Sequence, residues 1–400
     1  MKALRKLLDK IKPAFEKGGK LSMFHSVFDG FETFLFVPNR TSQSGTHIHD
    51  SIDSKRAMFV VVIALIPALL FGMFNVGYQH YLAIGQDAGF FQTFFWGALA
   101  VLPYVVVSYV VGLGIEFTIA QFKGEEIHEG FLVTGMLIPL IVPINTPLWM
   151  VALATAFSVI FVKEIFGGTG YNIFNVALMA RAFLFFAYPS MMSGDSVWVS
   201  LKDYFGFGQE QPAIDVYSGA TPLGQAAIAA GDKLTLTGIT GEPLSWWDMF
   251  LGLIPGSIGE TSTLAILLGG ILLIYTGIAS WKIILSVFAG GAFMAILLTI
   301  FAVNPYMEVP FWEHWCLGGF AFGAFFMATD PVTAARTEKG KWIYGFLIGL
   351  LAILYRVLNP AYPEGMMLAI LLMNIFAKLI DYVVVQNNIK KRLKRARIAQ

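Results

Sequence analysis

The chain has 400 residues, of which 56% are hydrophobic and only 13% charged, and its mean hydropathy is +0.68. An average soluble domain carries roughly 25% charged residues, so the composition predicts an integral membrane protein. The single cysteine, Cys316, excludes a disulfide scaffold and any iron–sulfur cluster or cysteine-ligated zinc site built within this chain. A net charge of +1 gives no polyanion signal, and no nucleic-acid partner is expected.

Residues 1–56 read as a polar and amphipathic extension at the inner face, not as a signal peptide, because they hold no cleavage-site pattern and the first apolar run follows only after Arg56. Within it, Phe24, Phe28, Phe31, Phe34 and Phe36 have partial helical spacing, which suits a membrane-surface helix or a lid. His47 and His49 lack a third ligand, so no metal site is expected. A bilayer core of about 30 Å needs about 20 apolar residues per helix. Ten spans are predicted, at about 57–76, 94–118, 129–142, 147–165, 173–188, 260–278, 282–303, 315–328, 342–358 and 366–385. The third, fifth and eighth are short or interrupted by Gly, Pro or charge, as are segments that line a cavity or bury against protein.

Residues 1–20 hold seven Lys or Arg and the tail from Lys390 to Arg397 holds six, which predicts that both termini are cytoplasmic. Residues 189–259 then form an outer, periplasmic linker, and they carry Asp195, Asp203, Glu210, Asp215, Asp232, Glu242 and Asp248 against only Lys202 and Lys233. The loop at 329–341, with Arg336, Lys339 and Lys341, falls inside, and 386–400 is a basic cytoplasmic tail. The expected fold is an all-α polytopic membrane protein of about ten transmembrane helices in two five-helix halves, 57–188 and 260–385. Glu129 leads an apolar run to Trp149, and Glu260 leads a similar run to Trp281. Because five is odd, such halves lie in opposite orientations, the inverted-repeat arrangement of many transporters.

The most specific motif lies in the linker: Asp215-Val216-Tyr217-Ser218-Gly219-Ala220-Thr221, a D-x-x-S-G-A-T pattern. By local grammar it is also a turn before a helix, with Thr221 as N-cap and Pro222 at the first helical position. The chain further contains Phe166-Gly167-Gly168-Thr169-Gly170-Tyr171-Asn172-Ile173-Phe174-Asn175, Ile254-Pro255-Gly256-Ser257-Ile258-Gly259-Glu260, Met327-Ala328-Thr329-Asp330-Pro331-Val332 and Asn359-Pro360-Ala361-Tyr362-Pro363-Glu364-Gly365. Together, over essentially the whole chain, these segments closely resemble the B-type membrane subunits of bacterial Na+-translocating NADH:quinone oxidoreductases. The D-type membrane subunit of the Rnf complex is a nearby relative, which generally lacks an extension such as residues 1–50.

The resemblance implies that Thr221 carries FMN through a phosphoester bond, installed by a flavin transferase that recognises Asp215, Ser218, Gly219 and Ala220. It implies noncovalent riboflavin at Asn172 and Asn175, although a Gly-rich turn beside amides is also a common tight connection. It ties Asp330 and Asp381 to the sodium path, with pairing to the basic tail as the alternative for Asp381. It places Gly112 and Glu116 near the quinone region, although the glycines of Val110–Glu116 equally suit helix packing. Lys163 with Glu164 reads as a helix end, and Arg181 as the neutraliser of a buried partner. The function so implied is that of one member of a six-subunit respiratory complex in the bacterial inner membrane. It passes electrons from NADH, oxidised in another subunit, through FMN and riboflavin to ubiquinone, while Na+ moves outward. An Rnf-type ferredoxin-linked subunit and a non-redox channel or secondary transporter are the alternatives.

Overall fold

A single apolar segment can satisfy all of its own backbone groups inside a bilayer only as a helix. The computed structural model follows that rule; it describes residues 2–15, 54–124, 130–204, 218–229, 234–359 and 362–398, with isolated positions between 16 and 53. The helices are α1 (Lys2–Ile11), α2 (Ser54–Ala83), α3 (Phe90–Lys123), α4 (Gly130–Leu140), α5 (Leu148–Ser158), α6 (Val176–Ala187), α7 (Pro222–Ile228) and α8 (Trp246–Leu251). Then follow α9 (Thr263–Tyr275), α10 (Trp281–Ile300), α11 (Phe311–Cys316), α12 (Phe320–Phe322), α13 (Glu338–Leu358) and α14 (Met366–Ile398). Among the described residues β pairing is confined to isolated bridges, one of them between Thr237 and Pro243. The chain is an all-α polytopic membrane protein.

Each of the ten predicted spans contains helix, but the helices are unequal. By length and composition, five can cross a membrane: Lys55–Ala83, Phe90–Lys123, Trp281–Ile300, Glu338–Leu358 and Met366–Arg397. The others are shorter or broken, for reasons the local chemistry gives. The predicted fifth span begins only at Val176, because Asn175 accepts from Leu178 N–H and caps the helix there. The predicted sixth begins at Thr263, because Ser262 caps α9 in the same way. The predicted eighth is divided between α11 and α12, and α12 continues as a π-helical turn over Gly323–Met327. The predicted fourth runs on from α5 into a π-helical turn over Val159–Glu164.

Open backbone at these breaks is satisfied from inside the protein. After α4 the chain is non-helical, and Tyr104 of α3 donates its hydroxyl to the carbonyls of Ile144 and Thr146. On the other side of the break, Gly259 N–H donates to Leu140 O at 2.7 Å and Ile258 N–H to Val142 O at 3.4 Å. The segment before α9 is thus paired with the end of α4. After α11, Arg356 of α13, fully buried, donates to the carbonyls of His314 (2.8 Å), Leu317 (3.0 Å) and Gly318 (3.2 Å), and to Glu364 O at 3.2 Å.

Candidate functional site

Two clefts lie at the two ends of α6. The first is built around the turn that feeds this helix. Gly167, Gly168 and Gly170 all have left-handed φ values, of 111°, 91° and 96°, so the Gly-rich sequence is needed for the turn itself. The turn delivers Asn172 and Asn175 to a cleft of about 890 Å³, its opening included, which Lys163, Thr169 and Asp330 also border. The first turns of α2 and α4 form its apolar wall through Met58, Val61 and Val133.

Asn172 donates its amide to Phe174 O at 2.9 Å, and Asn175 uses its side-chain oxygen on the α6 cap at 3.1 Å. Among the described residues nothing accepts from the side-chain nitrogen of Asn175. Thr169 Oγ1 is buried without a partner on the same cleft. A mouth lined by an orphaned hydroxyl and a donor-capable amide, over an apolar wall, fits the polar edge and flat body of a flavin. Thr169 stands inside the motif segment but was not singled out by sequence, because a lone threonine has no chemistry of its own there.

Asp330 belongs to this cleft and not to a separate one. It accepts from Val332 N–H at 3.0 Å and from the Thr333 hydroxyl at 2.9 Å. Burial pushes its carboxyl above the ordinary value, against the pull of those two hydrogen bonds. Asp381 lies elsewhere, on α14. It accepts from Arg336 N–H (2.8 Å), Thr337 N–H (2.9 Å) and the Thr337 hydroxyl (2.6 Å), and so ties the start of α13 to α14. Its pairing is with this loop and not with the basic tail. Glu116 forms a buried ion pair with Lys163, while Glu164 reaches Lys123 at 3.5 Å; the helical run does end at Glu164, and Lys163 is buried and paired there. Gly112 faces Phe131, whose Cζ would lie 1.8 Å from an added Cβ.

The second cleft holds Thr221. Asp215 lies outside the described residues. Ser218 N–H donates to Ile239 O at 3.4 Å, and Ala220 O accepts from the Gln225 amide at 3.2 Å. Gln225 also bonds both the N–H and the carbonyl of Thr237, at 2.9 and 2.8 Å, so α7 is pinned to the strand-like segment behind it. Thr221 is half-buried and caps α7 by accepting from Gly224 N–H at 3.1 Å. The turn reading of the motif is therefore realised, and it leaves the hydroxyl beside open space. Thr221 borders a cavity of about 860 Å³, its opening included, shared with Phe185, Trp198 and Tyr362, and a second, of about 360 Å³ on the same basis, shared with Ser257 and Glu260. An ester oxygen can still accept from Gly224 N–H, and aromatic walls (Phe185 and Tyr362 rings 4.4 Å apart) suit a flat ring. The residues present fit a flavin esterified at this oxygen.

Beneath Thr221 lies a buried charge cluster. Arg181 of α6 donates to both oxygens of Glu260 at 2.9 Å, to Ser257 at 3.2 Å, and pairs with Glu364. The expected buried partner of Arg181 is thus two carboxylates. Glu364, in the turn before α14, was missed by sequence; a glutamate between helices reads as solvated.

The sequence comparisons agree with this architecture. The pattern described as the NQR2, RnfD, RnfE family matches residues 41–390. The chain is 44% identical, over 98% of its length and 99% of the relative's, to the B-type subunit of the Na(+)-translocating NADH-quinone reductase of Klebsiella pneumoniae strain 342. It is 45% identical, with the same coverage of both chains, to the proteins of that name from Ectopseudomonas mendocina and Yersinia pestis. With the match running from the extension through both clefts into α14, the chain belongs to the NQR2, RnfD, RnfE family.

Proposed function

We propose that this chain is the flavin-carrying membrane subunit of a Na+-translocating NADH:quinone reductase. FMN is esterified to Thr221 by a flavin transferase, and riboflavin is held noncovalently at Asn172 and Asn175. Electrons from NADH, oxidised in another of six subunits, pass through these flavins to ubiquinone, and Na+ moves outward. The chain lies in the bacterial inner membrane with both termini cytoplasmic and the Thr221 linker periplasmic. Gly112 and Glu116 border the quinone region, and Asp330 serves the sodium path.

The observation that carries the reading is the position of Thr221, whose hydroxyl stands where two cavities meet in a chain about 45% identical to proteins named as this subunit. Bound flavin supplies electron transfer. The chain's own residues do the rest. Gly224 N–H holds the Thr221 oxygen in place. Phe185, Trp198 and Tyr362 exclude water on one side of it. Asn175 and Thr169 present donors to the other cleft. α6 sets the spacing of the two clefts, since Asn175 at its start and Phe185 near its end are separated by ten residues, about 15 Å of helix rise.

Peptide mass spectrometry of 203–233, from cells that also express a flavin transferase, tests the reading. A mass increase of one flavin phosphoryl group on Thr221, lost in Thr221→Ala together with the fluorescent band on a denaturing gel, is the expected result. An unmodified peptide overturns it and favours a non-redox transporter. Copurification with a ferredoxin-linked assembly in place of a quinone reductase assigns the chain to the Rnf branch.

A further inference from the structure

The two cavities that flank Thr221 have different walls. One is bounded by Phe185, Trp198 and Tyr362, the other by Ser257, Glu260 and Gly319. Among the described residues, they share only Thr221 and Glu364. A group esterified to Thr221 therefore has Glu364 beside it whichever cavity it enters. The Glu364 side chain is 16% exposed, enough to border both spaces while most of it faces the protein.

Behind it stand charges from three other segments, while Asp195 lines the larger cavity that it borders. Arg181 comes from the middle of α6, Glu260 from the segment before α9, and Arg356 from the end of α13. Tyr362, in the same turn, donates its hydroxyl to Glu364 at 3.3 Å. The cluster holds two guanidinium groups and two carboxylates. Among the described residues Arg356 bonds only carbonyls, so Arg181 alone sits between both acids. Burial raises the Glu364 carboxyl above its ordinary value, with Arg181 pulling it down and Glu260 pushing it up.

We infer that Glu364 is a positioning residue for the flavin on Thr221: its carboxylate is where the buried cluster reaches that flavin, and its charge sets how readily the flavin is reduced. The inference rests on the proposed attachment at Thr221. Reduction adds negative charge to the flavin, and an ionised carboxylate at its edge opposes that in a low-dielectric site. Protonation of Glu364 relieves the opposition. As pH falls through the raised Glu364 value, reduction becomes easier by more than the flavin's own proton uptake provides.

The test is a redox titration of the covalent flavin in the assembled membrane complex, over a range of pH, for the native chain, Glu364→Gln, Glu364→Asp and Tyr362→Phe. In Glu364→Gln the midpoint potential is expected to move to more positive values, with the gap from the native chain widest at high pH and closing as pH falls. Glu364→Asp should restore the native pH profile. Tyr362→Phe removes a hydrogen bond to the carboxylate and leaves every charge in place; it should move the potential in the same direction by less, and it serves where the Gln variant fails to assemble. A covalent flavin whose potential and pH profile are the same in Glu364→Gln, or unmoved in Tyr362→Phe where only that variant assembles, overturns this inference alone. A native chain with no flavin on Thr221 overturns the proposed function, and this inference with it.

Discussion

Glu116 and Lys163 are 5% and 3% exposed and pair across the contact between α3 and the end of α5. Removing one member of such a pair leaves a charge in a medium that cannot solvate it, at a cost of about 3–5 kcal/mol, whereas removing both is far milder. Glu116→Gln and Lys163→Met are each expected to lower the thermal midpoint in detergent, and the double substitution to recover most of it; additive losses would refute the pairing. Sequence alone read Lys163 with Glu164 as a helix end, where the helical run does stop; the partner of Lys163, 47 residues away, was not legible because it exists only once α3 has packed. Asp330 differs from this pair in that its carboxylate is held by hydrogen bonds from Val332 and Thr333, with the charge of Lys378 a weaker attraction. Its carboxyl is raised by burial, so the folded chain holds this proton to higher pH than the unfolded chain does. The stabilising contribution is complete below the ordinary carboxylate range and is lost as pH rises through the raised value. Asp330→Asn keeps an acceptor for Val332 and Thr333. It should match the native chain's stability in acid and exceed it as pH rises, and it should raise the sodium concentration needed for turnover. Asp381→Asn, which loses part of a three-donor site, should instead expose the amides of Arg336 and Thr337 to hydrogen exchange.

At the scale of the helix, the long apolar runs were legible because their length alone meets the bilayer's demand. The breaks were legible only as weak places. Nothing in Leu317-Gly318-Gly319 announces that Arg356, nearly forty residues on, will supply the missing hydrogen bonds, because that partnership exists only once α13 has packed. The same holds for the helix starts at Val176 and Thr263, where Asn175 and Ser262 are ordinary caps read as part of an apolar run. Gly112 shows the opposite case. Its two candidate roles, packing and quinone contact, were indistinguishable in sequence, and the geometry places Phe131 of α4 directly over it. Gly112→Ala should weaken the contact of α3 with α4, since the added Cβ would overlap the ring, and overpacking of this kind costs typically about 1–3 kcal/mol. Phe131→Leu in the same chain should recover stability. If the single variant is as stable as the parent, the two helices are not in tight contact here and the quinone role gains weight.

Across the whole molecule, the charge cluster joins segments that are far apart in sequence: α6 from the first half, the segment before α9 from the second, and the turn between α13 and α14. The five-helix halves, anticipated from the acidic linker, are therefore not independent bodies near Thr221, since Arg181 reaches from one to the other. Arg181→Met tests this connection because, among the described residues, it removes the one cation that bonds both carboxylates, leaving the more distant Arg356. Both acids cannot stay ionised side by side in a buried site, so one of them will take up a proton at neutral pH. The acid so affected has a folded-state value above its unfolded one, which means the variant's deficit relative to the native chain should shrink as pH falls and grow as pH rises. At neutral pH the loss should be about 3–5 kcal/mol. Adding Glu364→Gln to Arg181→Met should remove much of both the loss and its pH dependence, whereas the same change in the native background leaves Arg181 paired with Glu260 and should be mild. Thermal unfolding of the four chains at two pH values separates these outcomes. A deficit in Arg181→Met that is independent of pH would mean that the arginine holds the halves together by packing and not through its charge.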